Sequence, residues 1–333
     1  MLTILIAALM SVLPLSPESV SASEQPASPV VDARGRAESA PPDPNGGERQ
    51  AWKPGFADLL FASGRDGNSE VYVLRAGRQE WSNLTNHESG DNWPVWSPDG
   101  SRIAFQSKRK GNLDIWMMKE DGSNPVPLTS DPEPDYLPAW SPDGNTVVFT
   151  SWRKETGEEK RAPHIYRMNA DGSQQRRLVI ESLETSAGAT WAPDGARIVY
   201  SRKSGENGAD LFVADSDGKN ERRLTSDKDV YNGSPVFSPD GRSIAFYADD
   251  GTNSALVIMN GDGTGRRTVL AEGKNWYPRW SPDGVWLVYT AAVGGGDDGN
   301  IDIFAISLTG EGKPILLAGG AKREQEGSWR PKQ

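Results

Sequence analysis

The sequence predicts an all-β protein, and more specifically a six-bladed β-propeller built from four-stranded antiparallel blades. A short motif, in which an aromatic residue precedes Ser or Ala and then Pro-Asp-Gly, occurs five times along the 333 residues. Its copies recur about every 45 residues, and repeats of this length that contain several short strands are typical of propeller blades. The aromatic residues of the five copies are Trp96, Trp140, Trp191, Phe237 and Trp280.

Each repeat contains the pattern of four β-strands. A first strand ends at the aromatic residue, and a second strand follows the Pro-Asp-Gly turn, as in RIAFQS at 102–107. A third strand follows a loop of variable length, as in LDIWMM at 113–118, and a short fourth strand follows a second Asp-Gly turn. Alternating apolar and polar residues between Gly and Asp turns indicate half-buried antiparallel strands.

The two ends of the repeat array complete one blade together. Residues 58–85 match the second, third and fourth strands of a repeat, but no first strand precedes them. Residues 326–333 (EGSWRPKQ) match the missing first strand and the beginning of its turn. We therefore expect the C-terminal strand to join the first blade and to close the ring, which leaves no free sheet edge between the ends.

The repeated Ser-Pro-Asp-Gly has the composition of a turn. Ser and Asp side chains bond to nearby backbone N–H groups, Pro fixes φ, and Gly adopts a positive φ at the exit of the hairpin. A nucleophilic serine would need a base in every copy, and the sequence contains two histidines. Calcium needs several oxygen ligands, more than one Asp supplies. We interpret the motif as architecture and expect its aromatic residue to pack between neighbouring blades.

The region before the repeats divides into a signal peptide at 1–22 and a flexible linker at 23–54, ahead of a propeller at 55–333. Residues 2–13 are apolar, and SVSA at 19–22 provides the small residues of a cleavage site. The apolar run is shorter than the about 20 residues that span a bilayer, so we expect no stable membrane span. The linker is rich in Pro, Ala, Ser and Glu and lacks periodicity. These features predict a periplasmic or secreted protein.

Charge and cysteine content exclude several classes of function. The formal net charge is −10, whereas a general nucleic-acid binder needs a basic surface, so we expect no nucleic-acid partner. The absence of cysteine excludes disulfides, zinc thiolate sites and a thiol nucleophile. We expect no cofactor, and the stretch DDGNID at 297–302 leaves calcium open as the one candidate cation.

The connections that lead into the first strand of each repeat converge on the mouth of the central channel. They combine aromatic rings with carboxylates and amides, a mixture that suits a peptide segment or a sugar. We predict the ligand or partner site there and assign neither catalytic nor metal-binding residues. The predicted site residues are Asp91, Asn92, Trp93, Asp135, Tyr136, Tyr231, Asn232, Asn275, Trp276, Tyr277 and Glu324.

The repeat closely resembles the TolB-type, WD40-like repeat of six-bladed β-propellers. The resemblance is carried by the five (F/W)-(S/A)-P-D-G motifs and the strands that follow them, and it covers about 56–331. It implies an exported propeller that docks protein partners in cell-envelope, Tol-like processes. TolB itself has an additional α/β domain ahead of its propeller, where this sequence has the linker, so we expect a TolB-like protein that lacks that domain.

Two classes of function remain open. The first is a non-catalytic propeller that binds a protein or peptide of the cell envelope, and the alternative is a carbohydrate-binding or carbohydrate-active protein, a lyase or glycosidase that takes a glycan. Oligogalacturonate lyases resemble this repeat type, which implies a histidine-bound metal, but His87 and His164 fall in different blades. A glycosidase would need a carboxylate pair, for which Asp91, Asp135 and Glu324 are candidates. We favour binding over catalysis.

Overall fold

The computed structural model describes residues 56–78, 80–154, 162–178, 185–294, 300–310, 312–320 and 323–332. Within these residues the chain forms twenty-four β-strands and no helix. The predicted signal peptide and linker lie outside the described residues. The strands pair antiparallel in sets of four, which we call units 1 to 6.

Unit 1 combines the last strand of the chain with the first three. Its strands are β1 (Leu59–Ser63), β2 (Glu70–Leu74), β3 (Trp81–Asn83) and β24 (Glu324–Trp329). Unit 2 consists of β4 (Asp91–Trp96), β5 (Arg102–Ser107), β6 (Asp114–Lys119) and β7 (Val126–Pro127). Unit 3 consists of β8 (Asp135–Trp140), β9 (Thr146–Ser151), β10 (His164–Asn169) and β11 (Arg176–Arg177).

The remaining units follow in chain order. Unit 4 consists of β12 (Ser186–Trp191), β13 (Arg197–Ser204), β14 (Gly208–Asp215) and β15 (Arg222–Arg223). Unit 5 consists of β16 (Tyr231–Phe237), β17 (Ser243–Asp249), β18 (Ser254–Asn260) and β19 (Arg267–Leu270). Unit 6 consists of β20 (Asn275–Trp280), β21 (Trp286–Val293), β22 (Asn300–Ser307) and β23 (Ile315–Ala318). One parallel bridge between Ala209 and Tyr231 joins units 4 and 5.

The middle strands of the units are buried on both faces. Every residue of β1, β2 and β9 is buried, including the polar residues Ser63, Glu70 and Thr150, although the sequence pattern of the repeats leads us to expect alternating strands. The alternation predicts half-buried strands, but each unit packs between two others, so that both faces of its sheet are covered. Small side chains such as Ser151 therefore occupy positions that a one-sided sheet would leave in solvent.

The aromatic residues of the repeated motif pack between neighbouring units, as predicted. Trp96 of unit 2 belongs to a buried cluster with Leu60 and Val71 of unit 1. Trp329 of unit 1 in turn packs in a cluster with Val288 and Ile303 of unit 6. A buried aromatic side chain removes about 150–250 Å² from water. The aromatic residue therefore stabilises the interface between consecutive units.

The Ser-Pro-Asp-Gly segment forms the predicted turn. In unit 2, Gly100 N–H donates to Ser97 O at 2.8 Å, and Gly100 has a φ of +66°. Ser97 Oγ donates to Asp99 Oδ1 at 2.5 Å and accepts from Arg102 N–H at 2.9 Å. The bond from Ser97 Oγ, together with bonds from the Oγ and N–H of Ser101, lowers the pKa of Asp99 to about 2. The Ser97 and Asp99 side chains are thus hydrogen-bonded within their own hairpin, as expected of a turn motif.

The C-terminal strand joins unit 1 by antiparallel pairing of β24 with β1. The register pairs Leu59 with Trp329 and Ser63 with Glu324. The first strand of each unit also contacts the first strand of the unit on either side: β24 with β4, β4 with β8, and so on to β20 with β24. We call these six strands the inner strands and the space that they enclose the channel.

Removal of residues 326–333 should lower the melting temperature sharply. The deletion breaks the β24–β1 pairing and removes the buried Trp329, a loss comparable with the about 3–5 kcal/mol of a core Trp→Ala change. We expect a decrease of roughly 10 °C or more, measured by differential scanning calorimetry. Deletion of 331–333 alone, beyond β24, is the control and should leave the melting temperature unchanged. A 326–333 deletion that melts like the full chain contradicts the closure model.

Candidate functional site

All eleven predicted site residues lie on inner strands rather than in the connecting loops. The strands begin earlier than expected because their first residues already bond to the preceding unit: Asp91 N–H donates to Ser69 O at 2.7 Å, and Asp135 N–H donates to Leu113 O at 2.8 Å. The residues are Asp91, Asn92 and Trp93 on β4, Asp135 and Tyr136 on β8, Tyr231 and Asn232 on β16, Asn275, Trp276 and Tyr277 on β20, and Glu324 on β24.

The three predicted carboxylates are buried in ion pairs within units 1 to 3. Each is the first residue of its inner strand and is paired with an arginine two positions after the serine that ends the second strand. The pairs are Arg65–Glu324 at 2.7 Å, Arg109–Asp91 at 2.7 Å and Arg153–Asp135 at 2.5 Å.

These ion pairs are internal supports of the inner strands. Burial raises the pKa of Asp135 and Glu324, while the paired arginines act in the opposite direction. Removing one partner of a buried pair costs about 3–5 kcal/mol because it leaves an uncompensated charge. Each arginine also lies over an aromatic ring of its own unit. The distances from guanidinium to ring centre are 3.6 Å for Arg65 and Trp81, 5.3 Å for Arg109 and Trp116, and 5.4 Å for Arg153 and Tyr166.

Units 5 and 6 have an amide side chain where units 1 to 3 have an ion-paired carboxylate. Asn232 and Asn275 occupy the places of the carboxylates in units 1 to 3 and are buried. Asn232 Nδ2 donates to Ala209 O at 3.1 Å, and Asn275 Nδ2 donates to Ser254 O at 3.1 Å. Both acceptors belong to the preceding unit, so the amides connect units where the carboxylates bind an arginine of their own unit.

Every inner strand contains one residue in the left-handed backbone region, three positions before its aromatic residue. The strand bulges at this point and its register against the second strand shifts. Residues other than Gly adopt this backbone conformation at a free-energy cost of about 1–2 kcal/mol. The φ values are +53° for Trp93, +56° for Leu137, +67° for Gly188, +49° for Ser234, +55° for Tyr277 and +65° for Glu326.

Side chains of the preceding unit hold several of these bulges. In four units the N–H of the left-handed residue donates to a side-chain oxygen of the unit before it, which links the two units at the channel. The bonds run from Trp93 to Glu326 Oε2 at 2.6 Å, from Leu137 to Gln106 Oε1 at 3.2 Å, from Gly188 to Thr150 Oγ1 at 3.1 Å and from Glu326 to Thr290 Oγ1 at 3.1 Å.

Half-buried aromatic side chains of the site form one cluster. Trp93 of unit 2 and Tyr277 of unit 6 meet edge to face with ring centres 4.7 Å apart, although unit 1 lies between their units. Tyr277 contacts Tyr247 at 6.0 Å, and Tyr247 stacks on Tyr231 at 5.9 Å. The rings therefore reach across the channel. Trp276, next to Tyr277, is also half-buried.

Tyr136 lies outside this cluster. It is buried, and its hydroxyl accepts a hydrogen bond from Trp152 Nε1 at 3.0 Å. Burial raises the pKa of Tyr136 well above its ordinary value. The contact between Tyr136 and Trp152 could not be predicted from the sequence, because Trp152 lies in the loop after β9 and no local sequence pattern distinguishes it.

The eleven predicted site residues do not include two charged residues that lie beside the aromatic cluster. Glu326 is buried on β24, and burial raises its pKa to about 8 despite the bond from Trp93 N–H and the attraction of Arg279. Arg279 is half-buried on β20, and burial lowers its pKa to about 10. The available signal was that Arg279 is the single Lys or Arg among the six inner-strand sequences.

Carboxylates at the start of third strands are bound by a threonine. In unit 2, Thr129 Oγ1 donates to Asp114 Oδ1 at 3.2 Å and accepts from Ile115 N–H at 2.9 Å. Thr225 makes the same pair of bonds to Asp210 and Leu211 in unit 4. Burial raises the pKa of Asp114 to about 6, and nearby Asp135 raises it further, while Thr129 opposes the shift.

The variant Asp114→Asn should be more stable than the wild type above pH 6. A carboxyl group whose pKa is raised by folding stabilises the folded state while it is protonated. This stabilisation is fully present below the pKa of the unfolded chain, 3.8, and is lost as the pH rises through the pKa of the folded protein, about 6. Asn retains an acceptor for Thr129 and cannot ionise. We expect its melting temperature to exceed that of the wild type by about 2–4 °C at pH 7.5 and to converge with it near pH 4. The exposed Asp121→Asn variant should show no such gain, and a pH-independent difference for Asp114→Asn counts against the assignment.

Ser234→Val should destabilise the protein through its backbone. A β-branched residue tolerates the left-handed region poorly, at a cost of about 1–3 kcal/mol. Ser234→Gly fits the same conformation and should melt close to the wild type. Ser328→Val is the matched control, because Ser328 is also half-buried on an inner strand but is not among the positive-φ residues. Equal losses at positions 234 and 328 would show that the bulge is not the cause.

Within the described ranges, no group of three or more His, Asp or Glu side chains is arranged to hold a metal ion. Residues 297–299 of the candidate calcium stretch lie outside those ranges. The structure also contains no helix, in the residues that it describes, that is long and apolar enough to cross a membrane.

Comparison with solved structures identifies similar propellers. TolB from Acinetobacter baumannii is 19% identical, with a TM-score of 0.67, over 83% of this chain and 67% of that chain. A putative TolB from Agrobacterium tumefaciens is 19% identical, with a TM-score of 0.61, over 83% of this chain and 99% of that chain. An oligogalacturonate lyase in complex with manganese is 14% identical, with a TM-score of 0.56, over 79% of this chain and 74% of that chain. At these identities the likeness shows the fold.

No curated protein matches the sequence. The model of the TolB β-propeller domain family, however, matches residues 44–207 and 108–269. These overlapping ranges include more than half of the chain, and the described strands have the antiparallel four-strand arrangement of a propeller. The all-β propeller class predicted from the repeats is thus confirmed, and the chain belongs to the TolB β-propeller domain family.

Proposed function

We propose that this protein is an exported, non-catalytic β-propeller that binds a protein or peptide partner at the mouth of its channel. The observation that carries the proposal is the cluster of half-buried aromatic side chains on the inner strands, which includes Trp93, Tyr231 and Tyr277. Clustered aromatic residues that are partly open to solvent are typical of the centre of a protein-binding surface.

The electrostatics of the inner strands favour binding over glycoside hydrolysis. A glycosidase needs one carboxyl group as an acid and another as a nucleophile or base, both facing the substrate. Asp91, Asp135 and Glu324 are instead buried, and each is paired with its own arginine. Their charges are committed to the fold, which leaves the aromatic rings as the main recognition surface.

The histidines do not favour a lyase. His164 is buried on β10, with its Nδ1 2.9 Å from Arg177 Nη2. His87 Nδ1 accepts from Ser89 N–H at 3.0 Å in unit 1. The two rings thus serve different units. Carbohydrate binding remains the second candidate, because the same aromatic rings also suit the faces of a sugar.

The proposed setting is the cell envelope. A signal peptide at 1–22 would direct the chain to the periplasm or outside the cell, and the TolB-like fold supports a role in Tol-like processes with an envelope protein as the partner. A partner of this kind would engage the aromatic cluster with one extended segment.

The double variant Trp93→Ala/Trp276→Ala should lose partner capture while keeping the fold. The immobilised protein is incubated with a cell-envelope lysate, and retained proteins are identified by mass spectrometry. Truncating two central aromatic residues of an interface typically costs more than 2 kcal/mol each, so we expect at least a thirty-fold loss of capture. Trp81→Ala, on outer strand β3, is the matched control and should capture normally.

A glycan array run with the same proteins separates the two classes. Binding of the wild type to defined glycans, lost in the double variant and accompanied by no protein capture, would replace the peptide proposal by the carbohydrate one. Unchanged protein capture by the double variant would place the binding surface elsewhere on the molecule.

A further inference from the structure

Arg279 is the one cation carried by the inner strands. The six strands contain four acidic residues, of which three are ion-paired, but among Lys and Arg they contain only this arginine. The equivalent position, immediately before the aromatic residue, is small or neutral in the other units. It holds Val95, Ala139, Thr190, Val236 and Ser328.

The guanidinium of Arg279 is poorly compensated by the described part of the protein. Nη1 donates to Pro278 O at 2.9 Å, which uses one of the five N–H donors of the group. Arg65, Arg109 and Arg153 each lie within 2.7 Å of a carboxylate oxygen, whereas Arg279 has no ion pair within the described residues. Part of the side chain remains open to solvent.

Glu326 attracts Arg279 but makes no ion pair with it in the described part of the structure. Its carboxyl group also accepts the Trp93 N–H bond at 2.6 Å. Burial nevertheless raises the pKa of Glu326 to about 8, which disfavours the charged form of this carboxyl group. The inner strands therefore carry an arginine without a carboxylate partner, among the described residues, close to the aromatic cluster.

We propose that Arg279 binds a carboxylate of the partner, presented by a peptide segment that enters the channel past Trp93 and Tyr277. The inference rests on the proposed function and names the chemistry that the site selects. Tyr277 lies two residues before Arg279 on the same strand and contacts Trp93. A segment that packs against these rings would bring a carboxylate to the planar guanidinium, whose paired N–H groups match its two oxygens.

The charge of the whole chain makes this site selective. At a net charge of −10, the protein as a whole repels acidic peptides, so a carboxylate gains from approaching only where a cation is presented locally. A cation that is partly removed from water interacts more strongly than one on the open surface, because less solvent screens it. The channel thus favours a segment with one well-placed negative charge over a generally acidic one.

Two peptide libraries test the proposal. Random octapeptides without Asp or Glu are synthesised once with a free C-terminal carboxylate and once as C-terminal amides, and retention on the immobilised full-length protein is measured by mass spectrometry. A hydrogen-bonded charge contributes about 1.5–3 kcal/mol, so we expect the carboxylate form to be retained about ten-fold more or better. A third library, amidated but with one Glu, identifies whether a side-chain carboxylate serves as well.

Arg279→Gln should abolish the difference between the libraries, and Arg279→Lys should retain part of it. Arg242→Gln, at a site where the arginine side chain is 87% exposed, is the charge-matched control and should discriminate like the wild type. Equal retention of the carboxylate and amide forms, or discrimination that survives in Arg279→Gln, overturns the proposal. Arg279-dependent retention of trigalacturonate without any peptide preference also overturns it.

The outcomes separate this inference from the proposed function. If both libraries bind equally and both are lost in Trp93→Ala/Trp276→Ala, the aromatic peptide site stands and the role of Arg279 falls. If neither library is retained and no envelope protein is captured, the proposed function falls, and the inference falls with it. Melting temperatures of all variants establish that each one is folded.

Discussion

The left-handed residue on each inner strand is the constraint on which the candidate site depends. It turns one side chain out of the regular alternation of the strand, and in this way Trp93 and Tyr277, from units that are not neighbours, come into contact across the channel. Such a backbone persists only when its surroundings hold it. Here a side chain of the preceding unit accepts the freed N–H in four units, so each of these bulges depends on the unit before it.

Charge is distributed unevenly around this repeated framework. Units 1 to 3 begin their inner strands with a carboxylate bound to an arginine of the same unit, whereas units 5 and 6 have at the equivalent position an amide bound to the preceding unit. Ion pairs that are closed within a unit leave little net field at the channel. The residual field therefore comes from Arg279 and Glu326, which stand on adjacent inner strands, and binding a charged group there would change the balance between them.

The sequence predicted what is local and repeated. The Ser97–Asp99 turn and the packing of Trp96 recur in successive copies, and this recurrence indicates a structural role that every unit needs. The ion pair of Arg109 with Asp91 was not predictable, because the residues are 18 positions apart and their contact depends on strand register. Backbone handedness was equally hidden, since only Gly188 marks the bulge with a glycine. Arg279 was missed because it occurs in one copy, where a repeat alignment treats it as variation.

The pairing of β24 with β1 also sets an order of events. It joins Arg65 to Glu324 across 259 positions of sequence, the kind of contact whose closure entropy delays it in folding. A growing chain presents the open edge of β1 until residue 329 has been synthesised. Units 2 to 6, in contrast, each consist of consecutive strands and can form as they emerge. The ring therefore stays open to rearrangement until its whole length is available.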